Sequence, residues 1–285
     1  MKGLLELFVG ILFSVFIFIF LLFDYLPAYK YSQQLIEAID EDNFERFEEL
    51  LEQGGDLDSR PYFLTLDRVN QPPLHYACSL SKYEYVVALV EAGADVNCID
   101  KLLNRTPLMA ALEWTYKENR LDVARYLVEA GADVSIVVCS YSALDFVFTR
   151  NMSKNENVEQ EEFEFALYLI SQGAKIENVR LGNVIFDAAK GNNVLMVKYL
   201  ITEKRVNVDL VDDEYGNSVL MWAVYWNSYN VVKYLIEQGA NLEITNNEGK
   251  NAYDLALENA KLYTDDKLLI CQKIQELLNE KRNNN

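Results

Sequence analysis

Apolar positions along this chain recur at three- and four-residue intervals, in stretches of about ten residues that end at a glycine. Val86, Leu89 and Val90 form one such stripe, Phe47, Leu50 and Leu51 another, and Val232, Leu235 and Ile236 a third. That spacing gathers side chains on one face of an α-helix. Each stripe closes in nearly the same string: LLEQGGDLD (50–58), LVEAGADVN (89–97), LVEAGADVS (127–135), LISQGAKIE (169–177) and LIEQGANLE (235–243). Gly93, Gly131, Gly173 and Gly239 fall just past the helix, where left-handed backbone ends it. Glycines at 54, 93, 131, 173 and 239 lie 39, 38, 42 and 66 residues apart. The last interval is two units of 33, so the period is near 33, with insertions in the early copies. YLITEKRVNVD (199–209) fills the missing copy, with Lys204 and Arg205 in place of Gly-Ala.

A second string opens a helix in each period. It reads PPLHYAC (72–78), TPLMAAL (106–112) and SVLMWAV (218–224), with weaker copies at SALDFVF (142–148), NVIFDAA (183–189) and NAYDLAL (251–257). Thr106 can cap its helix, and Pro107 suits a first turn whose N–H has no partner in any case. Leu108 and Ala111 share a face, and the small alanine lets the paired helix come close. Two strings in fixed order near a 33-residue period resemble the T-P-L-H-x-A and G-A-D-V-N signatures of ankyrin repeats. The resemblance covers roughly 32–280 and implies an all-α solenoid of about seven helix-turn-helix repeats, spanning 32–60, 67–98, 101–136, 137–178, 179–210, 213–244 and 246–281. No single pair can bury its stripe, so neighbouring pairs must stack. His75, at the histidine of the string, takes a structural role in this resemblance, although Pro72 replaces the usual threonine.

The copies are irregular. Repeat 1 lacks the opening string and is rich in glutamate. The last helix, expected over 267–281, has no Gly-Ala terminator and is followed by a disordered tail at 282–285. Between the helices of repeat 4 lies TRNMSKNENVEQEE (149–162), expected to project as a polar loop, and repeat 3 carries a smaller insert around 114–120. Such inserts are either tolerated surface loops or partner contacts.

Ankyrin-type stacks bind through a concave face made by turn tips and first helices. Carried over residue by residue, that geometry offers Arg68, Leu102, Arg105, Trp114, Tyr215, Tyr225 and Trp226 as partner-binding candidates. Trp, Tyr and Arg are the side chains that anchor protein interfaces. The alternative for these aromatics is filling gaps between irregular repeats, and Trp222, inside a signature string, has the stronger packing claim.

Composition narrows the chemistry. The chain has 26 Lys+Arg against 44 Asp+Glu, a net charge of −18. Such acidity repels phosphate backbones, so nucleic acid is not an expected partner, and a basic protein surface would be drawn in. Cys78, Cys98, Cys139 and Cys271 form no CxxC pair and fit no zinc module. No disulfide is predicted, and Cys78 and Cys271 read as core residues. With His75 the sole histidine, neither a metal site nor a cofactor is expected. There is no G-x-S-x-G, Walker-type glycine loop or H-E-x-x-H. Asp212-Asp213-Glu214 and Asp265-Asp266 read as solvated faces, so the chain is not expected to be an enzyme.

The first 28 residues differ from the rest. Residues 7–23, LFVGILFSVFIFIFLLF, carry no charge and no polar face. As a helix they would span roughly 25 Å, the lower limit for crossing a bilayer. An uncleaved anchor is favoured over a cleaved signal, because Leu26-Pro27-Ala28 is a poor cleavage site, and over a buried core helix. Lys2 before the span and Asp24 after it favour a cytoplasmic N-terminus, which in a bacterium places the repeats in the periplasm, anchored at the inner membrane. The expected function is a membrane-tethered scaffold that binds another protein. The alternatives are an inhibitor or immunity protein neutralising a toxin or hydrolase, and a structural subunit of an envelope complex.

Overall fold

The computed structural model describes residues 26–59, 71–100, 103–113, 119–139, 141–148, 156–176, 184–262 and 265–283. These residues form α-helices, one 3-10 turn and no strand; the extended backbone amounts to three isolated bridges. They divide into two units, each described by itself.

The first unit holds α1 (Leu26–Asp40), α2 (Phe44–Gln53), α3 (Pro73–Ser79), α4 (Tyr83–Glu91), α5 (Pro107–Ala111) and α6 (Arg120–Glu129). They form three helix pairs. First helices pack on first helices, α1 on α3 and α3 on α5, while second helices pack on second, α2 on α4 and α4 on α6. Leu74, Leu89, Leu108 and Leu127 are buried between these layers, each worth about 1.5–3 kcal/mol of apolar burial. Proline opens α3 and α5, and at α5 the Thr106 hydroxyl accepts the Met109 N–H at 3.3 Å. The stripe on α4 is rotated from the sequence reading. Tyr85, Val86 and Leu89 are buried, and Val90 is half-exposed. Tyr85 turns inward because its ring packs edge-on against Phe44 and Phe47, at 5.1 and 4.9 Å. The first helix starts at Leu26, inside the segment assigned to the anchor.

The second unit holds the 3-10 turn Ala143–Phe146, α7 (Glu156–Ser171), α8 (Val184–Lys190), α9 (Val194–Thr202), α10 (Val219–Tyr225), α11 (Tyr229–Glu237), α12 (Ala252–Leu262) and α13 (Asp265–Asn283). The packing rule is the same. The 3-10 turn, α8, α10 and α12 form one layer, and α7, α9, α11 and α13 the other. The fourth first helix is a 3-10 turn, opened by a capping box in which Asp145 accepts the Ser142 backbone N–H at 2.5 Å and its hydroxyl at 2.8 Å.

Part of the expected loop at 149–162 is helix. Residues 149–155 lie outside the described residues, but α7 begins at Glu156. Val158, Glu162, Phe165 and Leu169 make a buried stripe on it. A buried glutamate hid that stripe from the apolar pattern; the Asn193 side-chain amide reaches Glu162 at 3.5 Å. Helix α13 likewise runs to Asn283, into the segment expected to be a disordered tail.

Backbone sign explains the turns. Asp42, Ser81, Asn119, Asn192 and Asn227, each between the paired helices of a repeat, have φ from 53 to 62°. After the second helices, Gly93, Gly131, Gly173 and Gly239 have φ of 96, 99, 102 and 84°. In repeat 5 the positive φ falls on Arg205, at 59°. The turn there is one residue longer: the Val206 N–H reaches Leu200 O, where in repeat 2 the Ala94 N–H reaches Leu89 O. A left-handed non-glycine costs about 1–2 kcal/mol. Arg205→Gly is therefore expected to raise stability by about 1 kcal/mol, and Gly93→Ala to lower it by a similar amount, both read from the shift in urea midpoint at unchanged slope.

Candidate functional site

The two most exposed of the large aromatic side chains among the described residues, Tyr215 and Tyr225, belong to repeat 6 of the second unit. Its scaffold is the turn after α9. Asp212, buried at the base of that turn, accepts four N–H groups: Glu214 at 2.9 Å and Tyr215 at 2.6 Å on Oδ1, Asn217 at 2.9 Å and the Trp222 indole at 2.9 Å on Oδ2. One carboxylate thus shapes the turn and fixes the tryptophan on the following helix. Gly216, at φ 69°, allows the next repeat to approach: a β-carbon there would meet Asn247 Oδ1 at 2.7 Å. Asn247 ties the two tips together, its backbone N–H donating to Tyr215 O at 2.9 Å and its side-chain amide to Glu214 O at 3.0 Å.

Helix α10 is capped by Ser218, whose hydroxyl accepts the Met221 N–H at 3.2 Å. Leu220, Ala223 and Val224 face the core, which leaves Trp222 and Tyr225, one turn apart, on the outer face. The rings form a series. Tyr215 meets Trp222 edge-on at 5.7 Å, Trp222 meets Tyr225 at 5.9 Å, and Tyr225 meets Trp226 at 6.0 Å. Tyr215 is 50% exposed and Tyr225 49%. From α8, Lys190 places its ammonium 4.6 Å from the Trp222 ring centre while paired to the buried Asp187 at 3.1 Å. From α12, the Asn259 amide donates to Val224 O at 2.8 Å and Tyr225 O at 3.1 Å, closing the end of α10. The Glu214 carboxylate, hydrogen-bonded to the Tyr215 phenol, pushes that phenol above the ordinary tyrosine range, so it stays neutral at physiological pH. The result is a rigid aromatic face held by a cation on one side and a carboxylate beneath.

Of the partner-binding candidates, Tyr215, Tyr225 and Trp226 come together here, and Arg68, Leu102 and Trp114 lie outside the described residues. Arg105 is a correction. It is buried in the first unit, with Nη2 3.4 Å from Gln71 Oε1, because its place in the bridge with Asp100 turns the side chain into the stack. Its carbonyl accepts the His75 Nε2 hydrogen at 2.9 Å, which leaves Nδ1 of that buried ring facing the Cys98 thiol at 3.7 Å. Sequence reasoning missed Lys190, Asp212 and the outward face of Trp222. Trp222 and Tyr225 at i and i+3 were the available signal. Among the described residues no group of three His, Cys, Asp or Glu side chains is placed to hold a metal ion.

A model of ankyrin repeats matches residues 35–137, 157–246 and 185–276. The chain is 28% identical over 235 residues to a ZDHHC13 protein of Danio rerio, covering 81% of this chain and 33% of that one. It is 27% identical over 232 residues to palmitoyltransferase ZDHHC17 of Homo sapiens, covering 80% and 34%, and 26% identical over 226 residues to human palmitoyltransferase ZDHHC13, covering 79% and 33%. The chain therefore spans about a third of the length of these relatives. The crystal structure of the human ASB11 ankyrin repeat domain superposes with a TM-score of 0.57 at 23% identity, over 85% of this chain and 96% of that one, a likeness of fold.

These relatives correct two expectations. Those matched over four fifths of the chain are named as enzymes, against the expectation of a non-enzymatic chain, although the match lies on the repeats. They are eukaryotic, against the expectation of a bacterial inner-membrane protein with periplasmic repeats. Among the described residues no helix is long and apolar enough to cross a membrane, and residues 7–23 lie outside them.

The hub of the site can be tested directly. Asp212→Ala leaves four N–H groups without their acceptor. It is expected to cost about 2–4 kcal/mol in urea unfolding and to move the Trp222 indole N–H resonance, whereas the exposed Asp213→Ala stays within about 0.5 kcal/mol.

Proposed function

The chain belongs to the ankyrin-repeat family, and from that premise we propose that it captures another protein on the aromatic face formed by Tyr215, Trp222, Tyr225 and Trp226. One observation carries the reading: two half-exposed tyrosines flank a tryptophan held by Asp212 and Lys190, so the rings are ordered before any partner arrives. Ordered aromatics lose little conformational entropy on binding, which is why such residues dominate interfaces. The net charge of −18, with Asp213 and Glu214 at the tip, favours a partner with a basic surface. The uncharged residues 7–23 place this capture beside a membrane in the same reading. Lysines at Phe16 and Ile19 would then release the protein from sedimenting membranes; undiminished sedimentation would remove the tether.

The relatives favour a second reading, in which the repeats present the captured protein to a palmitoyl transfer reaction. Incorporation of a palmitoyl analogue into the captured protein, equal with and without this chain, would sink that reading.

The first reading predicts a specific loss. Tyr215→Ala combined with Tyr225→Ala removes exposed side chains and leaves the core intact. Affinity capture with the full chain is expected to lose a defined set of proteins in this variant, with binding weakened about 30-fold or more for a hot-spot pair. If circular dichroism is unchanged and both forms retain the same proteins equally, the aromatic face is not the binding surface.

A further inference from the structure

A second surface lies in the first unit. An open groove of about 510 Å³ runs between the second helices of two successive repeats, α4 and α6. Tyr83 and Tyr126 wall it, with ring centres 5.7 Å apart and planes at 66°. Tyr83 is 41% exposed, a large aromatic turned to solvent at the start of a helix whose other face is packed. Carboxylates surround the rings: Glu84 beside Tyr83 on α4, and Asp122 and Glu129 on α6, one turn before and about one turn after Tyr126. Against these three stands one lining cation, Arg125, so the groove carries an excess of two negative charges. Burial, and then the Glu91 carboxylate, push the Tyr126 phenol up, so the ring is a neutral π face at physiological pH.

This chemistry selects its occupant. A ring face carries the negative end of a quadrupole and attracts a cation lying over it. The carboxylates add a field of the same sign, and they repel a phosphate or an acidic peptide. The tyrosine rings also cover the methylene stem of a long side chain. We propose that this groove docks a lysine- or arginine-bearing segment of a partner protein, its cation over the Tyr83 and Tyr126 rings and between Glu84, Asp122 and Glu129. The site uses no residue of the Tyr215–Trp222–Tyr225 face and stands independently of it. Arg125, the one cation lining the groove, carries the same sign as the incoming side chain and so opposes binding.

The test uses the full chain with ¹³C-labelled tyrosine rings, titrated with a short Arg-Lys peptide and watched by NMR. The Tyr83 and Tyr126 resonances are expected to shift and saturate, with a Glu-rich peptide producing no change. Tyr83→Leu keeps apolar contact without the π face and should weaken the peptide about 2- to 5-fold, read on Tyr126. Arg125→Gln should tighten it by about 2-fold or more, a response that a purely structural arginine would not give. Tyr215→Ala with Tyr225→Ala should leave the titration unchanged. The proposal is overturned if the two ring resonances stay still. It is equally overturned if Tyr83→Leu binds like the parent, for then general acidity holds the peptide, or if Arg125→Gln fails to tighten it.

Discussion

Helices of nine or ten residues, such as α4 and α6, have no independent existence in water, because the first hydrogen-bonded turn costs more chain entropy than so short a ladder returns. Each is held by burying one stripe against its partner and its neighbours in the same layer. Leu89 and Leu127 are fully enclosed only because α4 and α6 lie together, and Leu200 and Leu235 because α9 and α11 do. Stability is therefore a property of neighbouring repeats, and a disturbance at one joint weakens two pairs at once.

Polar groups set the register that this burial leaves free. Apolar stripes can slide; directed hydrogen bonds cannot. The same joint recurs in both units: Asp58 accepts the Asp95 N–H at 3.2 Å, and Asp209 accepts the Asn241 N–H at 2.8 Å. Buried amides and rings do similar work between neighbouring repeats. His75 reaches Arg105 O, Asn193 reaches Glu159 O at 3.0 Å, and Asn259 reaches the carbonyls that end α10. Each of these bonds is directional and ties one repeat to the next, a net contribution of about 0.5–1.5 kcal/mol apiece. The aromatic face of repeat 6 depends on this register. Trp222 is fixed by a carboxylate in its own turn, while Asn247 and Asn259 from the next repeat hold the two ends of the element.

Two of the corrections, at Arg105 and at 149–162, share one cause. Arg105 read as an exposed tip residue because arginines usually are, and 149–162 read as loop because it is polar. Both are places where a charged side chain goes inside. Glu162 occupies a stripe position on α7, and Arg105 lies under a turn against Gln71. A pattern of apolar and polar letters cannot mark a buried charge, since its partners come from other repeats.

The sequence by itself determined the repeat, its period, the helix-opening prolines and the glycines that end second helices. Those features are local: a proline's missing N–H and a glycine's freedom at positive φ act within a few residues. It also offered Tyr215, Tyr225 and Trp226 as candidates for the concave face; Tyr215 and Tyr225 are exposed and Trp226 is half-buried. Only the tertiary structure decided that these rings meet at Trp222, that Lys190 and Asp212 hold them, and that Tyr83 and Tyr126 face each other between three carboxylates. The Lys190–Trp222 and Tyr83–Tyr126 contacts join residues 32 and 43 positions apart, and their distances are set by how one short helix packs on the next, which no single repeat encodes.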